Sequence, residues 1–199
     1  MICNVGCCYH LINEEFSNDD FFVNKEIASN NLEFGFPMSQ YLRQQTIKMG
    51  RNARMLAAQS IHRTVANRDI SVKSLYYRAL LEMIIMEKFP NLQNCVQVGK
   101  IKKHNNFQDY LQKCDDKLKI GLDQLWCHVN YEQIYAKDEQ FLKLFYLIRM
   151  NFAPVLETLI LLDRLLYLKE NNFEKSFILG LFDPVVSPRC YGIVSIRDS

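Results

Sequence analysis

The sequence predicts an α/β fold, and three observations carry that prediction. A short apolar segment, ICNVGCC (2–8), is typical of a buried strand. A long helical middle follows it, and two strand-like segments close the chain, SFILGLF (176–182) and YGIVSI (191–196). Because three strands are a bare minimum for an independent sheet, we expect further strands to precede residue 1.

The helical middle is predicted from its apolar periodicity. In GFPMSQYLRQQ (35–45), Pro37 pre-sets the first turn of a helix, and further helix-forming residues fill 49–63. The segment 71–89 is typical of a helix that Ser71 caps and Pro90 ends. Another amphipathic helix is predicted over 106–120.

A proline divides the last helical stretch in the prediction. One helix is expected over 138–152, ending before Pro154, and a second over 154–172. Apolar residues surround much of the second helix, which predicts burial on more than one side. Its charged residues, Glu157, Asp163 and Arg164, are expected to form an internal network. The prolines of DPVVSPR (183–189) indicate a loop between antiparallel strands.

The composition is that of a folded globular protein. Hydrophobic residues make up 49% of the 199 residues and charged residues 23%, which excludes the disordered and collagen-like classes. The net charge of +2 neither requires nor excludes a nucleic-acid partner. Seven cysteines without a signal peptide predict reduced, mostly buried thiols in a cytoplasmic or nuclear protein. No uncharged apolar run is long enough for a bilayer, so no membrane segment is expected.

The glycines exclude a nucleotide-binding loop within this sequence. Loops of the G-x-G type need glycines two or three residues apart, so that backbone amides can approach a phosphate or adenosyl group. The seven glycines lie at positions 6, 35, 50, 99, 121, 180 and 192, and no two are closer than twelve residues. Any nucleotide-like cofactor must therefore be bound mainly by residues outside this chain.

Six segments together carry a family resemblance: VGCCYHL, GFPMSQYL, GRNARMLAAQS, SLYYRALLEMI, ETLILLDRLLYLKE and LFDPVVSPRC. Over residues 2–197 the chain resembles the C-terminal half of the methyltransferase-like twenty-five family, which is similar to class I S-adenosylmethionine-dependent methyltransferases. The resemblance implies a Rossmann-like sheet, with residues 2–7 as its fourth strand and the closing pair as its last two. It also implies three regions: 1–67, a helical insertion at 68–150, and 151–199.

The resemblance places the main S-adenosyl-L-methionine loop on strands that this chain lacks. The chain is therefore expected to be a fragment, an incomplete gene model or a short isoform, inactive without its missing N-terminal half. The loop after the first strand would face both cofactor and acceptor. On that basis Cys8, Tyr9 and His10 are the candidate catalytic residues, and the candidate cofactor contacts are Asn4, Gly6 and Cys7. The alternative is that the cysteines and Tyr9 pack at the edge of the core.

Two rival interpretations of this loop have little support. A zinc site from Cys3, Cys7, Cys8 and His10 conflicts with strand geometry, because alternating side chains would point to opposite faces. A Cys8 nucleophile activated by His10 rests on proximity alone. No metal is therefore predicted.

The candidate substrate contacts are polar groups near helix starts and loops. Free amides at the start of the 35–45 helix, and the fork-shaped donors of arginine, suit a phosphate or carboxylate. These residues are Pro37, Met38, Ser39, Arg51, Asn52, Arg54 and Arg189. In the alternative, Arg51 and Arg54 lie on a solvated helix face, and Arg189 only shapes its loop.

RNA is the first candidate acceptor and a protein side chain the second. The Cys-Cys-Tyr-His of residues 7–10 is loosely similar to a Cys-Cys-His-His in a family of tRNA ribose methyltransferases. The basic stretch GKIKKHNN (99–106) could contact phosphates, although lysines in a polar loop are usually just solvated. The alternatives are a non-catalytic module, in which residues 68–150 bind RNA or protein, and an unproductive truncation.

Overall fold

The computed structural model describes residues 1–14, 35–67, 72–92, 98–99, 101, 103–122 and 130–196. Contacts between residues divide the chain into two compact units. We call Met1–Asp69 together with Leu147–Ser199 the sheet unit, and Ile70–Tyr146 the helical unit. The predicted division into three regions stays a prediction.

Three strands form the sheet, in the spatial order β1-β3-β2: β1 (Ile2–Asn4), β2 (Lys175–Gly180) and β3 (Tyr191–Ile196). The predicted antiparallel pairing of the two closing strands is confirmed, with Phe177 opposite Val194. Strand β1 is also antiparallel to β3, with Cys3 opposite the same Val194. Therefore β1 and β2 run parallel to each other and end at the same edge of the sheet.

Strand β1 is shorter and more exposed than predicted. Its pairing ends at Asn4, and the side chains of Ile2 and Val5 are each 40% exposed. The prediction of a buried strand over 2–8 is therefore wrong. Among the described residues β1 hydrogen bonds with β3 alone, so its other edge is open.

The two faces of the sheet differ in burial. On one face Ser176, Ile193 and Ser195 are buried, and the Ser176 hydroxyl donates to the Ser195 hydroxyl over 2.8 Å. On the opposite face Phe177 and Ile196 are 54% and 46% exposed. Within the described residues this apolar outer face lacks a covering layer, which parallel strands ordinarily have on both sides.

Three short helices follow β1: α1 (Gln40–Gln44), α2 (Arg51–Ala57) and α3 (Ile61–Asn67). Helix α1 begins later than predicted, because Ser39 is its N-cap and accepts the Leu42 amide over 3.3 Å. Pro37 thus precedes the helix rather than opening it, and its bond to Phe36 is cis. The helix-forming residues of 49–63 fold as parts of two helices, with a break at 58–60.

The longest helix is α7 (Ala136–Glu170), and Pro154 lies inside it. The two helices predicted on either side of this proline are therefore one. Proline removes one helical hydrogen bond, and the burial of neighbouring Ala153 and Glu157 in the sheet unit favours continuation. The predicted burial on more than one side is wrong, since Val155 is 63% and Leu162 44% exposed.

Among the described helices, α7 alone is long and apolar enough to cross a bilayer by length and composition. A core helix of a soluble protein passes the same test, so one such helix is weak evidence. The expectation that the chain has no membrane segment therefore stays a prediction. Two buried carboxylates on the helix, Glu157 and Asp163, bind other parts of the sheet unit.

The core of the sheet unit lies where the turn after β1 meets helices α1, α2 and α7. A 3₁₀ turn at Tyr9–Leu11 provides its first aromatic side chain. The buried residues of this core are Tyr9, Phe36, Leu42, Ala57, Ala58 and Ile160. The turn that holds the candidate catalytic residues is therefore packed on the core of this unit.

The helical unit contains α4 (Lys73–Lys88), α5 (Phe107–Leu118), α6 (Tyr131–Ile134) and the first residues of α7. The predicted helices over 71–89 and 106–120 are confirmed in these positions, although the predicted cap Ser71 lies outside the described residues. An aromatic cluster of Tyr77, Phe107 and Tyr110 packs between α4 and α5. Burial raises the pKa of Tyr110 to about 12.

The cysteines depart from the expectation of mostly buried thiols. Of the five that the structure describes, Cys3, Cys7 and Cys8 are exposed, whereas Cys114 and Cys190 are buried. Cys3 is exposed because β1 has an open edge, and Cys7 and Cys8 are exposed because they lie in the turn after this short strand. All five are free thiols in the structure, and the reduced state expected of an intracellular protein stays a prediction.

Together these elements form a mixed fold of helices and a small three-stranded sheet. The combination of α and β elements agrees with the predicted class. The sheet has an antiparallel strand between two parallel ones, a mixture that also occurs in doubly wound sheets. The assignment of these strands to a Rossmann-like sheet stays a prediction.

Candidate functional site

The candidate site lies at the sheet edge where the parallel strands β1 and β2 both end. In open α/β sheets, ligands bind outside the carboxyl ends of such strands. Three segments meet there, and we call residues 5–10, 58–63 and 181–189 together the rim. The first follows β1, the second joins α2 to α3, and the third connects β2 to β3.

Arg189 joins all three segments of the rim. Its Nε donates to the carbonyl oxygen of Cys7 over 2.8 Å, and its Nη1 donates to that of Ala58 over 2.7 Å. The sequence predicted Arg189 as a substrate contact or a loop-shaping residue, and the structure shows the loop-shaping contacts. Both acceptors are neutral carbonyls, and the Arg189 charge also acts on Glu157, where it opposes the rise in pKa that burial causes.

The loop after β2 is also fastened to the start of α3. The Ser60 hydroxyl accepts the Arg63 amide over 3.2 Å and donates to the carbonyl of Pro184 over 2.9 Å. Arg63 Nε donates to the carbonyl of Val185 over 3.0 Å, and its Nη2 donates to that of Val186. Ser60 and Arg63 were not among the predicted site residues, since serine and arginine near a helix start are common.

Of the predicted catalytic residues, Cys8 is exposed at the rim and His10 is half-buried. The thiols of Cys7 and Cys8 lie 3.3 Å apart. The hydrogen bond with Cys7, and the repulsion between two thiolates this close together, raise the pKa of Cys8, which disfavours a thiolate nucleophile. Since β1 ends at Asn4, strand alternation does not govern these side chains. The described residues hold no cluster of three or more metal-ligating side chains.

Tyr9 belongs to the first segment of the rim but points into the core, and it is only 2% exposed. Its hydroxyl donates to Glu157 Oε1 over 3.3 Å, and the Arg164 guanidinium lies 6.0 Å from its ring centroid. Burial, followed by the charge of Glu157, raises the pKa of Tyr9 far above its ordinary value. A role for Tyr9 as proton acceptor would require its ionised form, so the geometry favours support of the turn instead. Glu157 and Arg164, two of the three residues of the predicted internal network, are thus both next to Tyr9.

The predicted cofactor contacts Asn4, Gly6 and Cys7 lie at the end of β1. Asn4 and Cys7 are exposed there. A Cβ atom added to Gly6 would lie 2.8 Å from the Tyr9 ring, so packing against Tyr9 explains why residue 6 lacks a side chain. The need for glycine therefore does not point to a close-approaching ligand.

Arg54, a predicted substrate contact, is fully buried. Its Nη1 pairs with Glu14, and its Nε donates to the Tyr9 carbonyl over 3.2 Å. The solvated-face alternative is therefore wrong for this residue, and the contacts described here are with groups of the chain itself. Glu14 also accepts the amides of Met49 and Gly50 over 2.7 and 2.8 Å, which places a carboxylate at the start of α2.

The free amides expected near Pro37, Met38 and Ser39 are not free. Asp163 accepts the Met38 amide over 2.8 Å, the Ser39 amide over 2.9 Å and the Ser39 hydroxyl over 2.7 Å. Pro37 is buried and has no amide hydrogen to donate. The premise of this substrate site is thus wrong, because a carboxylate on α7 already takes its donors.

Arg51 and Asn52 are exposed at the start of α2, as a substrate contact requires. The basic stretch of 99–106 gives less support. Lys100 and Lys102 lie outside the described residues, and the His104 ring is 2.9 Å from the Ser74 hydroxyl. The same ring packs against aromatic residues of the helical unit. His104 is therefore engaged in structural contacts and only partly exposed.

Comparison with known proteins shows that the chain is similar to two curated methyltransferase-like proteins. It is 40% identical over 202 residues to a human protein named "Probable methyltransferase-like protein 25", and 39% identical over 203 residues to the mouse protein of that name. Each match covers 98% of this chain. No family model matches the chain, and no solved structure matches it.

The chain spans about a third of the length of these relatives, 32% of the human and 33% of the mouse protein. This share is consistent with the C-terminal part that the motifs indicated. The resemblance is thereby confirmed, and the chain is a homologue of the methyltransferase-like 25 proteins over nearly its entire length.

Proposed function

We propose that the chain forms the acceptor-facing part of an S-adenosylmethionine-dependent methyltransferase that acts on RNA. One observation carries the proposal: Arg189 fastens the turn after β1 to the other two segments at the shared carboxyl end of β1 and β2. This is the edge at which open α/β sheets bind ligands. The printed names of the relatives, which are probable methyltransferases, support the reaction class.

The residues present do not suffice to hold S-adenosylmethionine by themselves. No two glycines are closer than twelve residues, and Gly6 is accounted for by the Tyr9 ring. The open edge of β1 and the exposed outer face of the sheet support packing against a further segment. In the proposal that segment, the missing N-terminal half, binds the methyl donor.

At the rim, His10 is the residue best suited to accept a proton from the acceptor group. Transfer of a methyl group to a hydroxyl requires loss of a proton, and a positioned base contributes about 10²–10⁴-fold. His10 is half-buried, whereas Tyr9 is covered. Tyr9 then acts indirectly, since its ring and carbonyl hold the turn that bears His10.

The charge of the rim supports RNA rather than a protein side chain as acceptor. Arg63 and Arg189 are positively charged side chains of the rim that donate to neutral carbonyls, and Arg51, at the start of α2, is exposed. Positive groups of this kind bind phosphates of a nucleic-acid backbone. Asp183 is the acidic residue of this rim.

The test compares this chain with a chimera in which it replaces the matching segment of the human relative. We expect calorimetry to show S-adenosylmethionine binding by the chimera only. We also expect the chimera to transfer tritium from labelled donor to RNA. His10→Ala should reduce transfer by about 10²-fold or more, with donor binding unchanged. Arg51→Ala should raise the KM for RNA.

Two results would contradict the proposal. Micromolar binding of the donor by the 199-residue chain alone would show that the glycine argument fails. Methyl transfer by the chimera to protein but not to RNA would show that the acceptor is a protein side chain. Gln40→Ala, a change at an exposed residue outside the rim, is the matched control and should leave transfer unchanged.

A second candidate, a non-catalytic interaction module, is favoured by one feature of the helical unit. An open groove of about 480 Å³ is lined almost entirely by apolar side chains, with Asp138 as its charged residue. Grooves of this kind accept an amphipathic helix of a protein partner. Partner binding that is lost in Phe141→Asp but kept in Gln140→Asp would support this function.

A further inference from the structure

The exposed Cys7–Cys8 pair is a second chemical feature of the rim, and the proposed methyl transfer does not use its two thiols jointly. Both side chains are exposed, and their Sγ atoms are 3.3 Å apart. Neither thiol is part of a disulfide. Two accessible thiols at this separation form a bidentate ligand, which a lone cysteine does not.

The backbone on both sides of the pair is fixed by hydrogen bonds. The Cys7 carbonyl accepts from Arg189 Nε over 2.8 Å, and the Cys8 carbonyl accepts from the Leu11 amide over 2.9 Å. The next carbonyl, that of Tyr9, accepts from buried Arg54 over 3.2 Å. The two thiols are therefore presented from a held turn, which lowers the entropy cost of binding both to one atom.

The separation of the sulfur atoms in the structure can be compared with the span that each class of thiophilic ligand requires. With sulfur bonds of about 2.3 Å, a tetrahedral ion needs thiolates about 3.8 Å apart and a linear ion needs about 4.6 Å. At that bond length the observed 3.3 Å subtends about 92° at the bound atom. An angle near 90° suits a pyramidal, three-coordinate centre whose lone pair compresses its bond angles, as in trivalent arsenic.

A direct disulfide fits this pair less well. Adjacent Cα atoms are about 3.8 Å apart, whereas disulfides usually join Cα atoms about 4.4–6.8 Å apart. A structural zinc ion usually takes four ligands, and the described residues contain no group of three or more potential ligands. An atom that bridges the two sulfurs avoids both difficulties.

We propose that Cys7 and Cys8 form a bidentate site for trivalent arsenicals. With phenylarsine oxide as the probe, the two thiols lose their hydrogens, two As–S bonds replace the As=O bond, and one water molecule leaves. No oxidant or reductant is needed, because arsenic stays trivalent and both sulfurs keep their oxidation state. The adduct would occupy the rim beside Arg189.

The experiment titrates the full 199-residue chain with phenylarsine oxide and detects the product by intact mass spectrometry. We expect one tightly bound phenylarsenic per chain, located on the amino-terminal tryptic peptide, residues 1–25. The second As–S bond forms within the molecule, so Cys7→Ser and Cys8→Ser should each weaken binding by about 10²-fold or more. Cys3→Ser, a change at the third exposed thiol of that peptide, should bind as the wild type does.

Two further readouts use the unmodified chain, so the test does not depend on the folding of a variant. The arsenical should protect Cys7 and Cys8, but not Cys3, from later alkylation by iodoacetamide. Excess monothiol should leave the adduct intact, whereas 2,3-dimercaptopropanol should remove it. Equal binding by either serine variant, loss of binding in Cys3→Ser, or adduct formation on other thiols would overturn the proposal.

Discussion

Arg54 and Glu14 form a buried ion pair between helix α2 and the segment after β1, with side chains 0% and 2% exposed. Arg54 also binds the carbonyl of Tyr9, and Glu14 binds the amides of Met49 and Gly50. The pair therefore fixes the turn that bears the candidate catalytic residues. Removing either partner would leave the other charge buried.

Replacing Arg54 by alanine should lower the free energy of unfolding by about 3–5 kcal/mol, the usual effect of breaking a buried pair from one side. Urea denaturation measures the change. Arg51→Ala, one turn earlier on the same helix and exposed, is the control and should stay within about 0.5 kcal/mol of wild type. Equal destabilisation by both changes would contradict the structural role of Arg54.

Two carboxylates on α7 bind amides near the start of α1. Because one is buried and the other is exposed, removing them should lower the stability by different amounts. Asp163 is fully buried, so Asp163→Ala leaves two amides and a hydroxyl without an acceptor, which should cost about 3 kcal/mol or more. Glu170 binds the Gln40 and Tyr41 amides at an exposed position, where water can replace it. Glu170→Ala should therefore cost about 1 kcal/mol or less. A larger loss for Glu170→Ala in thermal or urea unfolding would refute this ranking.

Glu157 predicts a specific pH dependence of stability. Burial raises its pKa above the ordinary 4.5, so the folded chain holds this proton more tightly than the unfolded chain does. The resulting stabilisation is complete below pH 4.5 and is lost as the pH rises through the folded-state pKa. Glu157→Gln lacks this titration.

The stability of wild type minus that of Glu157→Gln should therefore decrease as the pH rises above 4.5. Urea denaturation at a series of pH values measures this difference, in which the shared titration of other carboxyl groups cancels. A difference that increases with pH would mean that the native state favours ionised Glu157. The same difference can be measured between Tyr9→Phe and the double variant Tyr9→Phe, Glu157→Gln. It should decrease by more, because Tyr9→Phe removes a hydrogen bond that lowers the Glu157 pKa.

Arg189→Lys should loosen the rim with little effect on global stability. A lysine ammonium lacks the planar fork that reaches the Cys7 and Ala58 carbonyls together. Hydrogen exchange measured by mass spectrometry should become faster in segments 5–10 and 181–189, whereas exchange in β3 should not change. Unchanged exchange in both segments would show that Arg189 does not hold them together.

The sequence predicted the regular elements better than their burial. The closing strands were found from their β-branched and aromatic residues, which differ sharply from the helical middle. The prediction failed at Pro154 because the burial of residues beside it preserves the helix, although a proline there removes one hydrogen bond and crowds the preceding turn. Burial of Ile2 was predicted from local polarity, which does not indicate whether a strand has neighbours on both sides.

For the candidate site, the sequence identified the right segments and assigned several residues the wrong environment. Arg54 and Ser39 lie in two of the segments on which the resemblance was based, yet their donors bind Glu14, Tyr9 and Asp163. Residues 40 or more positions apart make these contacts, so spacing along the chain could not reveal them.

By itself, the sequence determined the relationship to the methyltransferase-like 25 proteins, the lack of a glycine-rich loop in this chain and the order of most helices and strands. These properties depend on residue identity and on local periodicity. Only the tertiary structure decided which polar groups are available at the rim, because burial and hydrogen-bond partners depend on segments far apart in the chain. Arg54 and Arg51 show the difference: three residues apart on one helix, one binds a buried carboxylate and the other is exposed.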